Sequence, residues 1–138
     1  LEKNKAPLNA CMIFDDLASA DLIKKSGGQS PLVSLILTSR HELNCTIFFL
    51  SQIFKSSGFA TPTVRNNVTT WVVYNMSRPE WLKIADDHCN DFEPADLTEQ
   101  YEAKMAAPHN FIVIDYRRPL DERITEKFTK VMRPKPKE

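Results

Sequence analysis

The 138-residue chain reads as a mixed α/β domain with a mostly parallel sheet flanked by helices. Two observations predict that class. Short apolar runs, rich in β-branched and aromatic residues, recur along the sequence and end on polar side chains, as strands buried on both faces do. Between them lie stretches with helical periodicity and helix-start signals, so strands and helices alternate.

Asn9-Ala-Cys-Met-Ile-Phe14 is the first apolar run, and it stops at Asp15-Asp16. A polar connection follows, with Lys24, Lys25 and the Gly27-Gly28 pair marking a flexible loop. Ser30-Pro31 combines an N-cap with proline at the first helical position, and Leu32, Val33, Leu35, Ile36 and Leu37 form an apolar face, so a helix is expected from Pro31 to Glu42. The second strand is Cys45 to Leu50, ending on Ser51-Gln52. Joined through one helix, the first two strands make a βαβ unit and therefore parallel neighbours.

A connection containing Lys55, Gly58 and Pro62 leads to a third strand at Thr69–Tyr74. Capping boxes at Ser77-Arg-Pro-Glu80 and Asp96-Leu-Thr-Glu99 announce two helices, one to His88 and one to Ala106. His109 to Ile114 is the fourth strand, before Asp115-Tyr116. An amphipathic helix is expected over Asp121–Val131, and the proline-spaced Arg133-Pro-Lys-Pro-Lys137 reads as a mobile tail. The expected organisation is a core over residues 1–118 and a terminal helix with a basic tail over 119–138.

Composition narrows function. The sequence has three glycines, Gly27, Gly28 and Gly58, and no pair has the spacing of a G-x-x-x-x-G-K-[ST] phosphate loop or a G-x-G-x-x-G turn. A self-contained nucleotide-binding loop is therefore excluded. Lysine plus arginine and aspartate plus glutamate are both 18, so net charge gives no global pull toward nucleic acid or anionic membrane. Distribution is less even: residues 79–102 hold 1 basic and 8 acidic groups, whereas residues 103–138 hold 9 and 5. Cys11, Cys45 and Cys89 are odd in number and far apart, which favours a reducing compartment over a disulfide framework. Leu1 to Asn9 is polar, so no secretory leader is expected, and the apolar stretches are too short for a membrane span.

In open α/β sheets ligands sit beyond the carboxyl ends of the strands. Those ends present Asp15-Asp16, Ser51-Gln52, Asn75 and Asp115. Adjacent carboxylates after a strand suit phosphoryl chemistry, one holding hydrated Mg²⁺ and the next polarising a water. A strand-terminal glutamine can orient that water, and an arginine at a helix end, Arg40 in Ser39-Arg-His41, can stabilise charge on a neighbouring phosphate. Asp86 to Asp91 collects metal-capable groups without ligand spacing and reads as an acidic helix end. Trp71 and Tyr74 fall in a buried-strand pattern and read as core.

Met12-Ile-Phe-Asp-Asp16, Ser39-Arg-His41, Phe49-Leu-Ser-Gln52, Pro62-x-x-Arg65-x-Asn67 and Phe111 to Tyr116 together resemble the genome-packaging ATPases of large double-stranded DNA viruses, in the FtsK/HerA-like group. The resemblance spans residues 8 to 118 and lacks Walker A. It implies part of a RecA-like P-loop ATPase core that uses ATP and Mg²⁺. Asp15 would be the Mg²⁺ carboxylate of Walker B, Asp16 the general base, Gln52 the sensor, Arg40 the arginine finger and Arg65 a second phosphate or subunit contact. Asp16 stands where many such enzymes have glutamate.

In that family the Walker A strand lies between the sensor strand and the following one. The expectation is thus a partner segment supplying the phosphate loop, a homo-oligomeric ring, double-stranded DNA, a capsid or portal vertex, and a location in the virion or in host cytoplasm or nucleus. Lys24, Lys25 and Lys55 are the DNA-loop candidates, through non-specific, salt-sensitive contacts. Two alternatives stay open: a non-catalytic ATPase-derived virion or assembly subunit, and a Mg²⁺-dependent nuclease using Asp15, Asp16 and Asp115.

Overall fold

The computed structural model describes residues 10–15, 34, 35, 38, 45–51 and 66–137. The chain divides into two compact units, Leu1–Asn67 and Val68–Glu138. The fold is mixed α/β, with one parallel sheet, one antiparallel sheet and two helices among the described residues.

The first unit holds β1 (Ala10–Asp15) and β2 (Cys45–Leu50), paired in parallel from Ala10↔Cys45 to Asp15↔Leu50. Residues 34, 35 and 38, between them, are helical, within the helix expected over Pro31–Glu42. Both strands alternate between half-buried and exposed positions. Because paired residues share a face, Met12, Phe14, Ile47 and Phe49 line the covered side, where Phe14 and Phe49 stack at 5.2 Å. The expectation of strands buried on both faces is corrected here: Ile13 is 66% exposed, and Phe48 and Leu50 are each 51% exposed.

The second unit contains β3 (Thr70–Tyr74), α1 (Arg78–His88), α2 (Pro94–Met105), β4 (Phe111–Asp115), a 3-10 turn at Leu120–Glu122, β5 (Ile124–Glu126) and β6 (Lys130–Val131). Its sheet has the order β3-β4-β5-β6, antiparallel throughout. β3 and β4 pair antiparallel although α1 and α2 lie between them, so the expected mostly parallel arrangement does not extend to this sheet.

Register places Val73, Ile112, Ile114 and Ile124 on one sheet face, all of them buried. The helices bury stripes at helical spacing, Trp81, Ile84, Ala85 and His88 on α1 and Leu97, Thr98, Tyr101 and Met105 on α2. At the centre Trp81 stacks on Tyr101 at 3.9 Å and 5° and donates its indole N–H to Thr98 Oγ1 at 3.2 Å.

Helix starts differ from the capping-box reading. Ser77 is the N-cap of α1 but makes no side-chain cap hydrogen bond, and Glu80 instead pairs with Lys83. Helix α2 begins at Pro94, with proline at the position where a missing N–H costs nothing. Asp96 then accepts from Gln100 and from the Lys135 amide.

The helix expected over Asp121–Val131 is absent. Ile124, Thr125 and Val131 are β-branched and pair in strands, and Lys127, at φ 55°, turns the chain between them. Non-local pairing with β4 wins over local helical periodicity. The expected mobile tail is likewise tied down: Glu93 N–H donates to the Lys135 carbonyl at 2.8 Å, Lys137 N–H to the Asp91 carbonyl at 2.9 Å, and Met132 is 4% exposed. Among the described residues no helix is long and apolar enough to cross a membrane.

Candidate nucleotide site at the carboxyl ends of the parallel strands

The in-register pairing of β1 and β2 brings two sequence-predicted site elements side by side. Asp15 closes β1 directly opposite Leu50, the last residue of β2, and Ser51 follows immediately. Asp15 is exposed and shares its face with Ile13, Phe48 and Leu50. Asp15 offers a carboxylate, a hard oxygen donor, at the end of β1, and Ser51 stands one residue beyond β2. Mg²⁺ suits such a setting, because it retains waters and takes one or two carboxylates plus substrate phosphates. Among the described residues no group of three His, Cys, Asp or Glu side chains could hold a metal unaided. Asp16, Arg40, Gln52 and Arg65, and the DNA-loop candidates Lys24, Lys25 and Lys55, lie outside the described residues.

Asp115, the third acid of the nuclease alternative, is the final residue of β4 and is already engaged. Arg117 grips it with two side-chain bonds, Nε to Oδ1 and Nη2 to Oδ2, both 2.9 Å, and adds its backbone N–H at 3.1 Å. Thr70 donates to Oδ1 at 3.4 Å, and Arg118 Nε lies 3.8 Å from Oδ2. The Arg117 hydrogen bonds hold the carboxyl down at about 2, against an ordinary 3.8. Its charge is satisfied within the fold, which leaves little for a metal.

A pH dependence follows. The folded state favours ionised Asp115, so its stabilisation is present above the ordinary carboxylate range and is lost as pH falls through about 2. Glu126 acts in the same direction, held at about 2 by the Asn110 amide and then by Lys104. Urea midpoints should be flat from about pH 7 to 5 and fall below about pH 4. Asp115→Asn should flatten that fall; an unchanged acid limb in the variant would show that the pair contributes nothing.

Sequence reasoning missed a cluster around the end of α1. His88 Nδ1 lies 2.6 Å from the Tyr116 hydroxyl, which also donates to the His88 carbonyl at 3.2 Å, and Trp71 packs on the imidazole at 4.5 Å. Arg123 sits 5.2 Å from the centre of the Tyr116 ring and pairs with Asp91 at 3.2 Å. Burial pushes Tyr116 and Cys89 each up to about 12, so the phenol and the thiol stay protonated near neutrality. These groups fasten α1 to the sheet rather than build a nucleophile. The signal was the run Asp115-Tyr-Arg-Arg118, whose alternating roles only the strand pairing reveals.

No family model matches the chain, and neither a curated protein nor a solved structure matches it.

Proposed function

We propose that this chain is part of a viral DNA-packaging ATPase, with the β1–β2 pair belonging to a RecA-like core that couples ATP hydrolysis to movement of double-stranded DNA into a capsid. The observation that carries this reading is the parallel, in-register pairing of a strand ending in Asp15 with a strand ending in Leu50-Ser51. Asp15 binds Mg²⁺, Asp16 acts as general base and Gln52 senses the nucleotide. Arg40 and Arg65 reach a phosphate or a neighbouring subunit of a homo-oligomeric ring.

Two further features support it. In the sheet of the packaging ATPases that the chain resembles, the phosphate-loop strand lies between the sensor strand and the following one, and here β2 and β3 are not paired with each other and belong to different sheets. The exposed side of the β1–β2 pair is apolar, with Ile13, Phe48 and Leu50, as a layer awaiting a partner segment is. The phosphate loop is supplied from outside these 138 residues. Lys24, Lys25 and Lys55 meet DNA phosphates, and the assembled motor works at a capsid or portal vertex, in the virion or the infected cell.

Calorimetric titration with Mg²⁺-ATP tests the division of labour. The 138-residue chain alone should bind no ATP, and its assembly with a segment bearing a G-K-[ST] loop should bind and hydrolyse it. Appreciable turnover by the chain alone would overturn the proposal.

A further inference from the structure

The four-stranded sheet has a second face, opposite the helices, and its composition is unlike that of an ordinary solvated surface. Val72 pairs with Val113 and Tyr74 with Phe111, so these side chains share that face. Phe128, in the turn between β5 and β6, extends the row. The Tyr74 and Phe111 ring centres are 5.3 Å apart, and those of Phe111 and Phe128 are 5.4 Å apart. Tyr74 and Phe128 are each 57% exposed and Val72 is 42% exposed, which corrects the core reading of Tyr74, while Phe111 is half-buried and Val113 and Thr125, on the same face, are 3% and 1% exposed. Two exposed rings thus flank half-buried Phe111, and exposed apolar side chains grouped in this way mark binding surfaces.

Cations border the row. Arg118 donates to the Phe128 carbonyl at 3.4 Å while its Nε lies 3.8 Å from Asp115, so its guanidinium reaches between the end of β4 and the β5–β6 turn. Arg117 has a side chain 69% exposed, and exposed Lys127 adjoins Phe128 in the turn. Asp115, the carboxylate that register puts on this face opposite Thr70, is already shared between the two arginines. Glu126 pairs with Ile112, on the helix side of the sheet, where it meets Lys104 at 3.0 Å. The aromatic face therefore presents net positive charge.

We propose that this face binds single-stranded nucleic acid, with bases stacking on Tyr74 and Phe128 and phosphates meeting Arg117, Arg118 and Lys127. Every base has a π-face that an exposed ring can cover, and sheet-borne aromatics bordered by cations use this mode. A duplex hides those base faces, so the surface selects unpaired strands. The inference is independent of the ATP-site reading, which concerns the other unit and double-stranded DNA.

Fluorescence anisotropy of a labelled twelve-residue oligothymidylate, titrated with the 138-residue chain, is the direct test. Saturable binding is expected, weaker for the matching duplex, with a log–log salt slope of about −2 for three phosphate contacts. Tyr74→Ala and Phe128→Ala should each weaken binding about tenfold, Lys127→Ala should reduce the slope by about 0.7, and Tyr74→Phe should bind normally. Phe128→Leu, which keeps apolar bulk without a π-face, should weaken binding as the alanine variant does and guards against loss of fold. Failure to bind, equal affinity for duplex, or an undiminished Phe128→Leu variant would overturn the proposal. So would light scattering showing a dimer that Phe128→Ala dissociates, since the face would then serve a second copy of the chain.

Discussion

Asp16→Asn, introduced into the assembled ATPase, is expected to lower ATP turnover by about a hundredfold or more while leaving Mg²⁺-dependent ATP binding within about threefold. Asp16 follows the last residue of β1 in sequence, and on the proposed reading it is the general base that acts on the attacking water, so its loss falls on the chemical step. Asp15→Asn is expected to behave differently. On the proposed reading it removes the carboxylate assigned to the metal and should weaken nucleotide binding itself, an effect that extra Mg²⁺ partly rescues. Steady-state kinetics with and without excess Mg²⁺ separates the two. Full turnover in both variants would abandon the ATP-site reading in favour of the non-catalytic subunit.

The second large effect is structural. Trp81→Ala should destabilise the chain by about 3–5 kcal/mol, read as a lower urea midpoint at constant slope. Trp81 is 0% exposed, stacks on Tyr101 and donates to Thr98, so alanine leaves a cavity and also strips a buried hydroxyl of its donor. Such a loss is a large share of the 5–15 kcal/mol typical of a whole domain. Trp81→Phe keeps most of the ring and should cost less than half as much. A cost below about 1 kcal/mol for alanine would mean that Trp81 is not the centre of the core.

Local signals made much of the fold legible. The run Cys45 to Leu50 coincides with β2, and the apolar stretches before Asp15, at Thr69–Tyr74 and at His109–Ile114 overlap β1, β3 and β4. Two helices appear between β3 and β4, where helix-start residues stand, although Pro94 rather than Asp96 opens the second. Direction is harder to read, because strand orientation depends on which distant strand becomes the hydrogen-bonding partner, and the parallel pairing of the first two strands does not extend to the second sheet. The C-terminal hairpin was missed for a related reason. Ile124 and Thr125 have a helical spacing of apolar neighbours, yet their hydrogen bonds go to β4, a partner that no local window contains.

Of the candidate site, the placement of Asp15 beside the end of β2 followed from alternating strands and a single crossover. The state of Asp115 did not. Its neighbours in sequence, Arg117 and Arg118, fold back onto it only because the chain turns at the end of β4, so a free carboxylate in the sequence becomes a spent one in the fold.

Every fully buried hydrophobic residue among those described lies between Val73 and Met132. The strands that carry Asp15 and Leu50-Ser51 contribute none of them. Expressed as genetics, the gene should yield two separable classes of damaging allele. Substitution of the exposed Asp15 should spare the melting profile and, on the proposed reading, remove ATP turnover, whereas substitutions at the Trp81–Tyr101 stack should lower abundance.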